Sequence, residues 1–175
     1  MRGGGGHSRG MDMGERIERL SILIVTWKGD DLLRVCLSSL ARVYGSRPEV
    51  VVVDNADQAS TRALVSAYAH ARYVPTVRNL GFAGGNNVGL KACTRDFVLL
   101  LNNDTVVYED SFSPLIDFLE RHPKVGIVQG TMNVPGSDGR LVLRMLMGMF
   151  ARRTGKTASS CRTDAPMYES SRSSR

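Results

Sequence analysis

Apolar residues fall along this chain in short continuous runs, and most runs stop at a cluster of small polar residues. SILIVTW (21–27) is apolar and β-branched almost throughout, the pattern of a strand buried on both faces. Asp30 and Asp31 can cap a helix reaching about Val43, with Leu32, Leu33, Val35, Cys36, Leu37 and Leu40 as its apolar face. Pro48 breaks that segment before VVVVD (50–54), a second buried strand. Ala59 to His70 reads as a helix with Leu64, Val65 and Tyr68 inward, and Tyr73 to Val77 as a short strand weakened by Pro75. GFAGGNNVGLKAC (81–93) reads as a glycine-rich loop running into a helix. Phe97 to Leu101 is a fourth strand, Phe112 to Arg121 a helix, and Val125 to Val128 a fifth strand. Strands alternating with helices predict βαβ units, so the fold class is α/β: a Rossmann-like, doubly wound, mostly parallel sheet flanked by helices.

The ends break this pattern. Residues 1–20 are rich in Gly and Arg without periodicity, which predicts a disordered leader before a domain over 21–150. LVLRMLMGMF (141–150) is apolar but short and interrupted by Arg144, a core segment or interfacial patch but too short to span a membrane. From 151 to 175 the chain is rich in Ser, Thr and Arg and is expected to be a disordered or aberrant tail, native or frame-shifted.

Charge and cysteine content then exclude two classes. Of the net +6, the tail carries most, and residues 21–150 hold no basic stripe, so nucleic acid is not an expected partner. Cys36, Cys93 and Cys161 are odd in number, widely spaced and without a CxxC pair, which suits a reducing cytoplasm better than a disulfide framework or zinc site.

Two familiar motifs fail. GKT (155–157) lacks the earlier glycine of a phosphate-binding P-loop, since Phe150 stands there, and TWKGDD after the first strand has one glycine where dinucleotide binding wants GxGxxG. Three polar clusters remain, each at the predicted C-terminal end of a strand: Thr26, Trp27 and Lys28; Asp54, Asn55 and Asp57; Asn102, Asn103 and Asp104. Each alone suits turn chemistry, but together they line the sheet edge where open α/β folds hold ligands. Mg²⁺ or Mn²⁺ is bound by one or two carboxylates plus substrate phosphates and water, so Asp104 suits it as the single protein carboxylate. Asp54 can accept from the imide N–H of a uracil or thymine. Gly81, Gly84 and Gly85 permit close backbone approach of a ligand or tight packing at a helix entry, and Asn86 and Asn87 add donors.

The series SILIVTW, VVVVDNAD, RNLGFAGGNNVGL and VLLLNNDTVV resembles the GT-A nucleotide-sugar glycosyltransferases of family 2, especially their rhamnosyltransferase-like bacterial branch. The resemblance covers roughly residues 20 to 140 and implies a role position by position. Thr26 and Trp27 match positions that contact the nucleotide, and Asp54, followed by Asn55, matches the residue that recognises the base. Arg78, Asn79, Gly81 and Asn86 match contacts beside the donor. Asn102, Asn103 and Asp104 match the segment holding diphosphate and metal, with Asn102 in place of its first aspartate.

The implied reaction is an inverting transfer of a sugar from a dTDP- or UDP-sugar to a hydroxyl of a glycan or lipid-linked acceptor. The setting would be cell-envelope polysaccharide synthesis in the cytoplasm, with room for peripheral association at the inner face of the membrane. The family's general base lies beyond the fifth strand, in a segment with no counterpart here, so the chain is expected to be a donor-binding fragment. A nucleotidyltransferase and a non-catalytic binding module are the alternatives.

Overall fold

The computed structural model describes residues 12–135 and 141–152. Three strands are buried almost end to end: β1 (Leu20–Thr26), β2 (Glu49–Asp54) and β4 (Phe97–Asn102). Covered on both faces, they read as unbroken apolar runs without alternation. β3 (Ala71–Pro75) is shorter and half exposed, and it lies at the sheet edge, where a terminal proline is tolerated.

The sheet order is β3-β2-β1-β4-β6-β5, with β5 (Ile127–Pro135) and β6 (Leu141–Arg152) completing it. Its first four strands are mutually parallel, and β6 runs antiparallel to both β4 and β5. The fold is therefore the predicted α/β, mostly parallel, doubly wound sheet. LVLRMLMGMF forms most of β6, and the fifth strand extends well past the predicted Val128.

Helices cover the two faces unequally. α1 (Met13–Glu18), α2 (Asp30–Tyr44), α3 (Ala59–Ser66) and α5 (Ser113–Arg121) pack on the face of Ile22, Ile24, Val50, Val52 and Leu99. On the other face α4 (Gly81–Ala92) lies over Leu23, Val51 and Val53. α4 packs so closely that a Cβ at Gly89 would stand 2.2 Å from Leu23 Cδ1 and 2.8 Å from Val53 Cγ2. At Gly85 it would stand 2.6 Å from Val25 Cγ1. Of the two roles open to this glycine-rich stretch, Gly85 and Gly89 thus serve helix–sheet packing and not ligand approach.

Three further expectations are corrected. The expected leader gives way to α1, because Asp12 and Glu15 form a reciprocal capping box and Ile17 is buried; residues 1–11 lie outside the described residues, as does the expected tail from 153. Leu32 and Val35 are 54% and 51% exposed, so the inward face of α2 is Leu33, Cys36, Leu37, Leu40 and Tyr44. The second helix ends at Ser66 and the third strand begins at Ala71, both earlier than predicted.

Candidate functional site

Register brings the three polar clusters to one edge: Thr26 stands opposite Asp54, and Val25 opposite Asn102. The chain steps outward from β1 to β2 to β3, then returns through α4 to place β4 on the other side of β1. The reversal of strand order falls between β1 and β4, where such sheets form a ligand crevice.

Thr26 is buried, and its Oγ1 accepts from Asn103 Nδ2 at 3.1 Å. Trp27 projects outward, 55% exposed, with the Lys28 ammonium 5.3 Å from its ring centroid. Lys28 has a φ of 54°, a left-handed conformation that costs a non-glycine residue energy and is concentrated at functional turns. Sequence reading placed Lys28 in the cluster but had no signal for that backbone.

Asp54 departs from its expected part. Its residue is fully buried, and its carboxylate accepts from Ala56 N–H at 2.9 Å, Gln58 N–H at 2.7 Å and Tyr73 OH at 2.8 Å. Those three bonds fold the loop after β2 around the buried carboxylate. Burial, followed by the nearby Asp54 carboxylate, pushes the Tyr73 hydroxyl well above its ordinary pKa, so it stays a donor. Asn55 is equally engaged, donating to Gly81 O at 3.0 Å and accepting from Thr76 Oγ1 at 3.1 Å. Tyr73 and Thr76, which hold these two residues, carry no motif that would have singled them out.

The stretch beside α4 divides in two. Arg78 and Asn79 are exposed, and Arg78 lines a shallow hollow of about 210 Å³ with Val77, Leu80 and Val88. Asn79 Oδ1 accepts from Gly81 N–H at 2.8 Å, and Gly81 starts the helix at a φ of 68°, which favours glycine. Asn86 is buried and its Nδ2 donates to Phe82 O at 3.0 Å, bracing the helix.

At the end of β4, Asn102 is exposed and its carbonyl accepts from Thr105 N–H at 3.3 Å. Asn103 turns back to Thr26, and Asp104 points to solvent. Burial, and then the Asp104 charge, push the Cys36 thiol up to about 12, so it stays protonated and is no nucleophile. Among the described residues no three His, Cys, Asp or Glu side chains gather to hold a metal. One exposed carboxylate beside amide oxygens fits a hard divalent cation only when the other ligands come from phosphate and water. No helix among the described residues is long and apolar enough to cross a membrane.

Comparison with known proteins agrees with this architecture. A mannosyltransferase from Pyrobaculum calidifontis, solved with GDP-Man and Mn²⁺, superposes with a TM-score of 0.58 and 24% identity over 67% of this chain and 36% of that one. Staphylococcus aureus TarS 1–349, solved with UDP-GlcNAc, gives a TM-score of 0.58 and 24% identity over 71% and 37%. The poly-beta-1,6-N-acetyl-D-glucosamine synthase of Staphylococcus epidermidis is 22% identical over 123 residues, 69% of this chain and 30% of that protein. The chain thus spans about a third of the length of the curated relatives it matches. The family model described as "Glycosyl transferase family 2" matches residues 21–171, most of the sequence, and the chain belongs to that family.

Proposed function

We propose that this chain forms the donor-binding part of a glycosyltransferase that takes a nucleoside-diphosphate sugar together with Mg²⁺ or Mn²⁺. The observation that carries the reading is that the exposed Trp27, Lys28, Asn102 and Asp104 lie at the ends of β1 and β4, at the crevice between those two strands. Trp27 would cover the nucleoside, and the Lys28 ammonium would face the diphosphate. Asp104 would hold the cation, which when bound neutralises charge on the departing nucleoside diphosphate. Asn102, exposed beside Asp104, would hydrogen-bond a phosphate oxygen.

The transfer would invert the anomeric centre and deliver the sugar to an acceptor hydroxyl in cell-envelope polysaccharide synthesis. Relatives named for N-acetylglucosamine and mannose chemistry support a hexose donor, while the rhamnosyltransferase-like motifs favour a thymidine-linked deoxysugar. Because Asp54 is enclosed, base selection falls to the backbone of the 54–58 loop and to Trp27.

Calorimetric titration with UDP and dTDP, with and without Mn²⁺, tests the reading. Metal-dependent binding of either is the expected result, and the preferred base decides between the donor classes. Absence of binding at millimolar ligand would overturn it.

A further inference from the structure

β1 and β4 are hydrogen-bonded neighbours up to the Val25–Asn102 pair, and beyond it each turns away into its own loop. One side-chain bond spans the gap there, from Asn103 Nδ2 to Thr26 Oγ1 at 3.1 Å. Thr26 is 2% exposed, so its hydroxyl is shielded from a ligand in the crevice. Space for the bond depends on Gly29, where a Cβ would stand 2.7 Å from Asn103 Nδ2 and 3.6 Å from Thr26 Oγ1. Asn103 is thus clasped between the start of the β1 loop and the glycine that precedes α2.

We infer that Asn103 is a positioning residue: its amide latches the β4 turn to the β1 loop, fixing Asp104 relative to Trp27 and Lys28. The inference rests on the donor-site reading above. Asp104 directly follows the latched residue, and Trp27 and Lys28 lie between Thr26 and Gly29, so the latch sets the span between a cation and a nucleoside. A diphosphate bridging the two is bound best at one separation. Breaking the latch lets the two halves drift, and the cost appears in the metal concentration that nucleotide binding demands.

The test is calorimetric titration of UDP over a series of Mn²⁺ concentrations. Melting temperatures are recorded without ligand, to set aside variants that fail to fold. Asn103→Ala and Thr26→Val should each raise the Mn²⁺ needed for half-maximal binding about tenfold, the worth of one hydrogen bond. The double variant should lose no more than either single one, because both remove the same bond. Thr26→Ser, which keeps the hydroxyl oxygen, should return the requirement to the wild-type value. Gly29→Ala, which crowds Asn103, should act in the same direction.

Additive losses, or a Thr26→Val protein with the wild-type Mn²⁺ requirement, would overturn the latch and leave Asn103 a direct ligand. A wild-type protein that binds UDP equally with and without Mn²⁺, or not at all, would instead bring down the donor-site reading and the latch with it.

Discussion

The two ends of the parallel sheet are both polar, yet they use their charges in opposite ways. At the N-terminal end of the strands, Glu49 accepts from Ser21 Oγ at 2.5 Å, Thr94 N–H at 2.8 Å and Arg72 Nη2 at 2.6 Å. Beside it, Arg19 bridges Asp96 and Glu120, and Arg16 pairs with Asp117, tying α1 and β1 to α5. At the C-terminal end Asp54 is satisfied within its loop and Asp57 pairs with Arg62, but Lys28, Arg78 and Asp104 make no ion pair among the described residues. Charges satisfied within the chain contribute to folding, whereas charges left facing solvent at a crevice remain available to a ligand. The contrast separates a structural edge from a binding edge on one sheet.

Substitutions can break this contrast. The largest effect is expected from Asp104→Ala, which should lower Mn²⁺-dependent UDP affinity at least about 100-fold. Its melting temperature should stay near the wild-type value, since Asp104 is exposed. Unchanged affinity by calorimetry would remove Asp104 from the cation site.

Glu49→Gln should do the reverse, lowering stability by about 2–3 kcal/mol in urea unfolding, through lost charged hydrogen bonds, while sparing nucleotide affinity. Burial alone would raise the Glu49 carboxyl, but hydrogen bonds from Ser21 and Thr94 and the Arg72 guanidinium hold it below the usual range. A group with a depressed folded value adds stability that is present above its unfolded pKa of about 4.3 and lost as pH falls through the folded value. The wild type should therefore lose stability on acidification below that point more steeply than Glu49→Gln, and parallel curves would refute the assignment.

Gly89→Ala probes the packing under α4. The added methyl meets Leu23 and Val53, and overpacking of that kind costs about 1–3 kcal/mol. A drop in melting temperature of roughly 2–4 °C per kcal/mol is the readout. If the variant melted like wild type, the account of these glycines as packing residues would fail.

The smallest effect belongs to Tyr73→Phe, which removes one of three donors to Asp54 and should cost about 1 kcal/mol in urea unfolding. The ratio of UDP to dTDP affinity should not move. A changed ratio would return Asp54 to base reading.

Much of the fold was legible because β1, β2 and β4 are covered on both faces, which leaves a plain apolar signature. β6 was not, because its Met-rich run carries neither alternation nor a β-branched bias, and its antiparallel pairing with β4 is a long-range choice. The helix at Met13–Glu18 had a readable signal, the Asp12…Glu15 spacing, hidden within a glycine-rich segment. At the candidate site, motif position placed the three clusters at one sheet edge but not the direction of each side chain. Asp54, Asn55, Asn86 and Asn103 face their own backbone or neighbours. Those turns depend on partners such as Tyr73 and Thr76, which come from a different strand and the loop after it.

The outer strand carries a last consequence, for how copies of this chain behave toward one another. An unpaired strand at the rim of a sheet is a template for adhesion between molecules. β3 is five residues long, ends at Pro75, which has no N–H to donate, and displays the exposed Arg72 as its second residue. Shortness, a missing donor and a surface cation each discourage a foreign strand from docking there. Replacing Arg72 by an apolar β-branched residue should therefore promote self-association that light scattering would detect at high concentration, without altering the crevice at the far side of β1.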